Sequence, residues 1–173
     1  MWKKIVILIA ASAITTLLWF NGLERVYAHI LVFASNAVVN MGGNNTTVKL
    51  ETLDDELIIR VSTIVEGRRG SYPQRTQNLL LPAVIVFSWL PLLFFSLPRK
   101  KALRQSAINL GIFIFFQVIF VLLLTSYYNS ELAKYLFHVM METFYVFAII
   151  IIIKDSLKYP ELWKRKEINS KPA

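Results

Sequence analysis

Three long apolar runs, at 79–97, 106–125 and 132–153, constrain this chain more than any other feature of its sequence. A helix crosses a hydrocarbon core of about 30 Å in about 20 residues, because each residue rises about 1.5 Å. Each run has roughly that length, and only short polar segments separate them. A shorter apolar run begins at residue 5 and ends at 20 or 23. The pattern predicts an integral membrane protein rather than a soluble fold.

The segment between the first and second runs has a different character. Apolar residues recur at helical spacing across 26–41, which predicts either an extension of the first helix or a helix lying along the membrane surface. Alternating apolar and polar residues across 46–66 then predict two strands, with Gly67-Arg68-Arg69-Gly70 closing the second. An isolated hairpin is marginal in water, so we expect its apolar face to rest on the 26–41 helix or on a partner.

The predicted fold class is therefore an all-α integral membrane protein with four transmembrane helices and a small extracytoplasmic insertion of one helix plus a β-hairpin. We divide the chain into an N-terminal signal anchor (1–23), the extracytoplasmic insertion (24–77), a three-helix membrane domain (78–153) and a basic cytoplasmic tail (154–173). Val26-Tyr27-Ala28 resembles a signal-peptide cleavage site, but the charged Glu24 and Arg25 crowd it, so the prediction is an uncleaved anchor.

The distribution of charge predicts the orientation. With four crossings and a cytoplasmic N-terminus, the inner segments hold twelve of the 19 Lys and Arg residues and three of the 11 acids, a net charge of +9 against −1 elsewhere. This asymmetry follows the positive-inside rule and places both ends in the cytoplasm of a bacterial inner membrane. Anionic lipid headgroups explain the overall charge of +8 without nucleic acid. The predicted headgroup contacts are Arg99, Lys100, Lys101, Arg104, Lys164, Arg165 and Lys166.

The fourth run carries a polar stripe. Residues spaced by three or four positions share one helix face, and Glu142 is about 15 Å into that run. An ionised acid at that depth costs at least about 2.5–3.5 kcal/mol, so Glu142 must face protein or water, or stay protonated. Gln117 reaches a similar depth in the third run, and a hydrogen bond between the two side chains would satisfy both. The stripe consists of Glu131, Lys134, His138, Glu142 and Tyr145.

Several functions remain open for these polar groups. His138, Glu142 and Gln117 can join helices, contact a partner or form part of a proton relay, and a relay lacks a second acid at that depth. His138 and Glu142 provide at most two metal ligands, so a metal site would need more from another chain. Arg68 and Arg69 can form a solvated loop, contact outer headgroups or dock an acidic partner.

The sequence gives little support for an enzymatic reaction. The chain has no cysteine and only two histidines, which excludes thiol nucleophiles and Cys-based metal sites and makes a zinc enzyme a poor fit. Ser71, Ser88 and Ser106 lack a paired base. We therefore predict no catalytic residues, no cofactor and no enzymatic activity.

The layout nevertheless resembles a known group of proteins. Asn78-Leu79-Leu80-Leu81-Pro82 leads into the second run, the basic segment 99–104 follows, and Gln117 lies in the middle of the third run. In these features the chain is similar to small membrane proteins encoded beside exosortases, in particular those of the exosortase H system. The exosortase itself needs a Cys with Arg and His, and this chain has no Cys. The resemblance implies an accessory to a membrane protease or transpeptidase that acts on exported proteins.

Two main functional hypotheses follow. The first is a noncatalytic inner-membrane accessory subunit that packs against a polytopic membrane protein in the lipid bilayer. The second is a small homo-oligomeric transporter or channel whose path is lined by His138 and Glu142. An intramembrane enzyme is the least supported alternative, because no nucleophile–base pair is present.

Overall fold

The computed structural model of the protein describes residues 2–41, 46–54, 56–65, 67–127 and 130–163, and the side chains of Val65, Asn78 and Glu142 lie outside that description. Helices dominate these ranges, and one small sheet interrupts them. The elements in chain order are α1 (Trp2–Leu18), α2 (Glu24–Met41), β1 (Thr47–Leu53), β2 (Glu56–Val65), β3 (Arg68–Arg75), α3 (Gln77–Leu80), α4 (Pro82–Ser96), α5 (Arg99–Thr125), α6 (Glu131–Lys158) and a 3-10 turn (Pro160–Leu162).

The first two helices form one long apolar arm with a kink. The joining segment Trp19–Leu23 loses helical dihedral angles at Asn21 and Gly22, and Gly22 has a φ of 112°. Glycine suits this position because other L-residues rarely adopt a positive φ. After the kink, α2 packs against both α5 and β1. The helix predicted over 26–41 is therefore α2, a kinked continuation of α1 that supports the sheet.

The polar insertion is a three-stranded antiparallel sheet of order β1-β2-β3, one strand more than the predicted hairpin. Arg68 and Arg69, which we expected in a closing loop, begin β3 instead. This strand contains Gly70 and Pro73 and has weak intrinsic β-propensity, so it forms because β2 offers a free edge. The register runs from Thr47↔Ser62 to Leu53↔Glu56 between β1 and β2, and from Ile58↔Arg75 to Val65↔Arg68 between β2 and β3.

The sheet is attached to α2 through the outer edge of β1. The side-chain amide of Asn36 donates to the Val48 carbonyl at 2.8 Å and accepts from the Val48 N–H at 2.9 Å. It thereby takes the place of a neighbouring strand. Val48, Ile59 and Val61 are buried in the same core cluster as residues of α2. The apolar face of the sheet thus rests on α2, which is one of the two arrangements that we expected.

The remaining helices extend beyond the predicted runs at the basic end. α5 begins at Arg99, so the basic segment expected as a loop forms the first turns of a helix. α6 continues past Ile153 to Lys158 and bends by 57° between Glu131–Met141 and Thr143–Lys158. The Thr143 hydroxyl donates to the Val139 carbonyl one turn earlier, a type of bond that bends helices. α3 and α4 together cover the second run, with α4 starting at Pro82.

Within the described ranges, two helical segments are long and apolar enough to cross a membrane: the arm Trp2–Met41 and α5. The bent α6 makes a third if its two halves form one span, whereas α4 has only 15 residues. The structure thus supports a mostly helical membrane protein and confirms the fold class in part. Four crossings remain a proposal.

Candidate functional site

The Asp155 carboxylate on α6 is the one buried charged group among the described residues. It is fully buried and accepts three hydrogen bonds from two other helices. Trp89 Nε1 of α4 donates to Oδ2 at 2.9 Å, and from α5 Asn109 Nδ2 donates to Oδ2 at 2.6 Å and Gln105 Nε2 to Oδ1 at 2.8 Å. We call Trp89, Gln105, Asn109, Lys154 and Asp155 the Asp155 cluster.

Positive charge completes this cluster. The Lys154 ammonium lies 2.7 Å from Asn109 Oδ1 and 3.4 Å from Asp155 Oδ1. Gln105 Oε1 accepts from the Lys158 ammonium at 3.2 Å and from the Tyr159 hydroxyl at 3.1 Å. A buried charge is tolerated only when it is paired and hydrogen-bonded. Here one carboxylate is matched by three N–H donors and an ammonium.

Helix periodicity explains why these groups meet. Gln105 and Asn109 are four residues apart and share one face of α5. Two residues that follow α6 cover the cluster. Leu162 is fully buried, and the ring centroids of Trp163 and Trp89 lie 6.1 Å apart. The Lys4 ammonium of α1 donates to the Glu161 carbonyl at 2.6 Å. The cluster therefore ties α4, α5 and α6 together next to the start of α1.

The hydrogen bonds of the Asp155 cluster join three helices. Both oxygens of Asp155 accept hydrogen bonds from these donors. Ser106, the hydroxyl nearest to Gln105 in sequence, has a buried Oγ without a hydrogen-bond partner among the described residues. The described ranges also contain no group of three or more His, Asp or Glu residues that could hold a metal ion.

A second buried polar site joins helices at the other end of the bundle. The Tyr27 hydroxyl of α2 donates to Gln117 Oε1 at 2.5 Å, and Gln117 Nε2 donates to the Leu79 carbonyl in α3. Gln117 and Leu79 are buried almost completely. The structure thus gives Gln117 two partners that the sequence did not suggest. The predicted bond to Glu142 stays a prediction, because the side chain of Glu142 is outside the described residues.

The other predicted site residues lie on the surface. His138 is exposed in the half of α6 that precedes the bend, and its Nε2 lies 3.0 Å from the Tyr127 hydroxyl. Arg68 and Arg69 are exposed on β3. The four cations in the first turns of α5 are exposed around the basic end, where headgroup contact was predicted, whereas Lys164, Arg165 and Lys166 lie outside the described residues. Those four are Arg99, Lys100, Lys101 and Arg104.

The Asp155 cluster was not predicted from the sequence. We placed Asp155 in the basic cytoplasmic tail (154–173), whereas it lies in α6, which continues to Lys158. The available signal was the pair Gln105 and Asn109, two amides one turn apart where α5 becomes apolar. Comparisons with protein-family models, curated proteins and solved structures found no match to this chain.

Proposed function

We propose that the protein is a noncatalytic accessory subunit of a polytopic partner in the bacterial inner membrane. The observation that carries this proposal is the outer face of α2. Val26, Ile30 and Phe33 are 57%, 48% and 77% exposed, on the face opposite to the buried Ala28 and Ser35. Their spacing of three and four residues makes this a continuous apolar stripe.

The position of this stripe argues for a protein partner. The inner face of α2 packs on the sheet, where Asn36 is bonded to Val48. The sheet carries exposed charges, including Lys49 on β1 and Arg68 and Arg69 on β3, which suit water rather than hydrocarbon. An apolar helix face that extends along such a module is typical of an interaction surface. The resemblance to exosortase-associated proteins favours a membrane enzyme that processes exported proteins as the partner.

The proposed membrane arrangement has four crossings with both ends in the cytoplasm. α3 and α4 together extend from Gln77 to Ser96, which is close to the length needed to cross the hydrocarbon core. The start of α1, the start of α5 and the end of α6 lie at one end of the bundle, through the Lys4–Glu161 and Gln105–Asp155 contacts. The cations near these three points would then share the cytoplasmic side.

Because the chain has no cysteine, single cysteines test this arrangement without background. Thr52→Cys in β1 and Lys100→Cys in α5 are both at exposed positions. We expect a membrane-impermeant thiol reagent to label position 52 on cells with a permeabilised outer membrane, and position 100 only after the inner membrane is broken. The opposite pattern would refute the orientation.

Site-specific photocrosslinking tests the partner. A benzophenone amino acid at Phe33 should capture a stoichiometric membrane protein, identified by mass spectrometry. The same probe at Thr52, exposed on the sheet and away from the α2 stripe, is the matched control. Crosslinks from position 33 to lipid alone would contradict the accessory function.

A further inference from the structure

An apolar groove of about 190 Å³ lies between α5 and α6 near the basic end of the bundle. Ile112 and Ile150 form parts of its two walls and are exposed on the outer surface. The rings of Phe116 and Phe147 are stacked with centroids 4.4 Å apart and close the end distant from Lys154. The lining consists of Ile112, Phe113, Phe116, Phe147, Ile150, Ile151 and Lys154.

Lys154 is the one charged residue in this lining. Its ammonium is held in place by Asn109 Oδ1 at 2.7 Å and by Asp155 Oδ1 at 3.4 Å, while 36% of its side chain remains exposed. An ammonium has three N–H donors, so one remains for a ligand beside these two acceptors. The Asp155 cluster thus fixes a cation at the mouth of a hydrocarbon-lined groove.

We infer that this groove binds one acyl chain of an anionic phospholipid, with the lipid phosphate at Lys154. The chain would lie along α6 from Lys154 toward Phe147, a distance of about 10 Å along the helix. A further cation lies near the proposed headgroup position, because Lys158 is one turn beyond Lys154 on the same face of α6.

The size and chemistry of the groove favour a lipid over a protein occupant. A stable protein interface buries at least about 1,000 Å² in total, which seven lining residues do not provide. An apolar trough with a cation at one end matches an amphiphile with an anionic head. The inference rests on the membrane location proposed above, but not on any protein partner.

Native mass spectrometry of the full-length protein tests the inference. The protein is released from vesicles that contain equal amounts of phosphatidylglycerol and phosphatidylcholine of the same chain length. We expect one phosphatidylglycerol to stay bound, with at least roughly five-fold preference over phosphatidylcholine, since a cation near an anionic surface contributes about that factor. Equal retention of the two lipids by the wild-type protein would overturn the inference without any variant.

Adjacent isoleucines provide a matched pair of variants. Ile150 lines the groove and is 50% exposed, whereas Ile149 is 49% exposed and does not line it. Ile150→Trp should lower lipid retention at least roughly ten-fold by displacing several methylene groups, and Ile149→Trp should leave retention unchanged. Equal effects of the two substitutions would contradict a specific groove.

A second pair tests the headgroup contact. Lys154→Gln should lower phosphatidylglycerol retention roughly five-fold, whereas Lys3→Gln, at an exposed position of α1 outside the groove, should not. Equal losses would indicate a diffuse basic surface and refute the site.

The same spectra report oligomers, and a dimer lost only in Ile150→Trp would assign the groove to a second copy instead. Resistance of the protein to carbonate extraction, measured first, separates a failure of the lipid site from a failure of the membrane location.

Discussion

At each end of the helix bundle a buried polar site joins the helices, and the two sites differ in kind. At the basic end the Asp155 cluster encloses a carboxylate with three N–H donors and an ammonium. At the sheet end Tyr27, Gln117 and the Leu79 carbonyl form a neutral chain of two hydrogen bonds. A buried charge loses the stabilisation that water gives it, and hydrogen bonds and opposite charges of the protein must replace it. A neutral amide loses much less solvation free energy on burial. The basic end is therefore the less tolerant of change.

The junction between sheet and helix provides a third, intermediate case. Asn36 satisfies both backbone groups of Val48 with one amide. No charge is involved, but two backbone groups depend on a single side chain. The three sites form a series in which the cost of substitution should follow the number and charge of the groups left without partners.

The largest effect is expected for Asp155→Leu. This substitution removes the carboxylate that accepts from three N–H donors and neutralises Lys154, which should destabilise the protein by about 3–5 kcal/mol. Thermal unfolding in mild detergent measures the loss. Glu161→Ala, at an exposed position nearby, is the control. A change at Asp155 no larger than at Glu161 would remove the distinction between the two ends.

A smaller effect is expected for Asn36→Leu. The N–H and carbonyl of Val48 would lose their partners, and the expected cost is about 1–3 kcal/mol, localised to the sheet. Hydrogen exchange should show faster exchange in β1 while α5 and α6 stay protected. Asn40→Leu, one turn further along α2 at an exposed position, should leave β1 unchanged. Uniform loss of protection would contradict an independent sheet junction.

Tyr27→Phe sharpens the comparison at the neutral site. It removes one hydrogen bond and keeps the ring that packs against Trp19 and Phe87. We expect a loss of about 1 kcal/mol, near the average for polar contacts between helices in membranes. Tyr135→Phe, where the ring is 66% exposed, is the control for the same chemical change. A loss equal to that of Asp155→Leu would show that charge is not the deciding factor.

The smallest effect is expected for Glu56→Gln. Glu56 pairs with Arg75 at 3.0 Å across the sheet, but the Arg75 side chain is 77% exposed. Water screens such a pair, so the change in unfolding free energy should stay within about 0.5 kcal/mol and shrink with added salt. Urea titration at two salt concentrations is the measurement. A larger loss would mean that exposure does not separate this ion pair from Asp155.

The sequence identified Gln117 but not its partners. A single amide in an apolar run must find a hydrogen bond, and that requirement is visible from residue type alone. Which group supplies the bond depends on how α2 and α3 approach α5, and the kink at Gly22 determines part of that approach. The burial of Asp155 was not predicted, because we placed this residue in the basic tail that follows the fourth run.

The sheet illustrates another limit. β1 and β2 have alternating Val, Ile and Leu residues, and that period predicted them directly. β3 has no such period, because an edge strand needs little apolar surface of its own. Its existence depends on hydrogen bonds to β2, which are a property of the pair rather than of either segment.

By itself the sequence determined that this is a membrane protein, that its helices are long and apolar, and that cations gather at specific breaks between them. These properties follow from local composition and period, because the cost of placing each residue in hydrocarbon or water is nearly independent of its neighbours. Only the tertiary structure decided that Asp155 is buried, that Asn36 holds the sheet and that Lys154 lies at the mouth of a groove. Each of these requires groups from separate helices or strands to meet, and hydrogen bonds of that kind depend on geometry that no single segment contains.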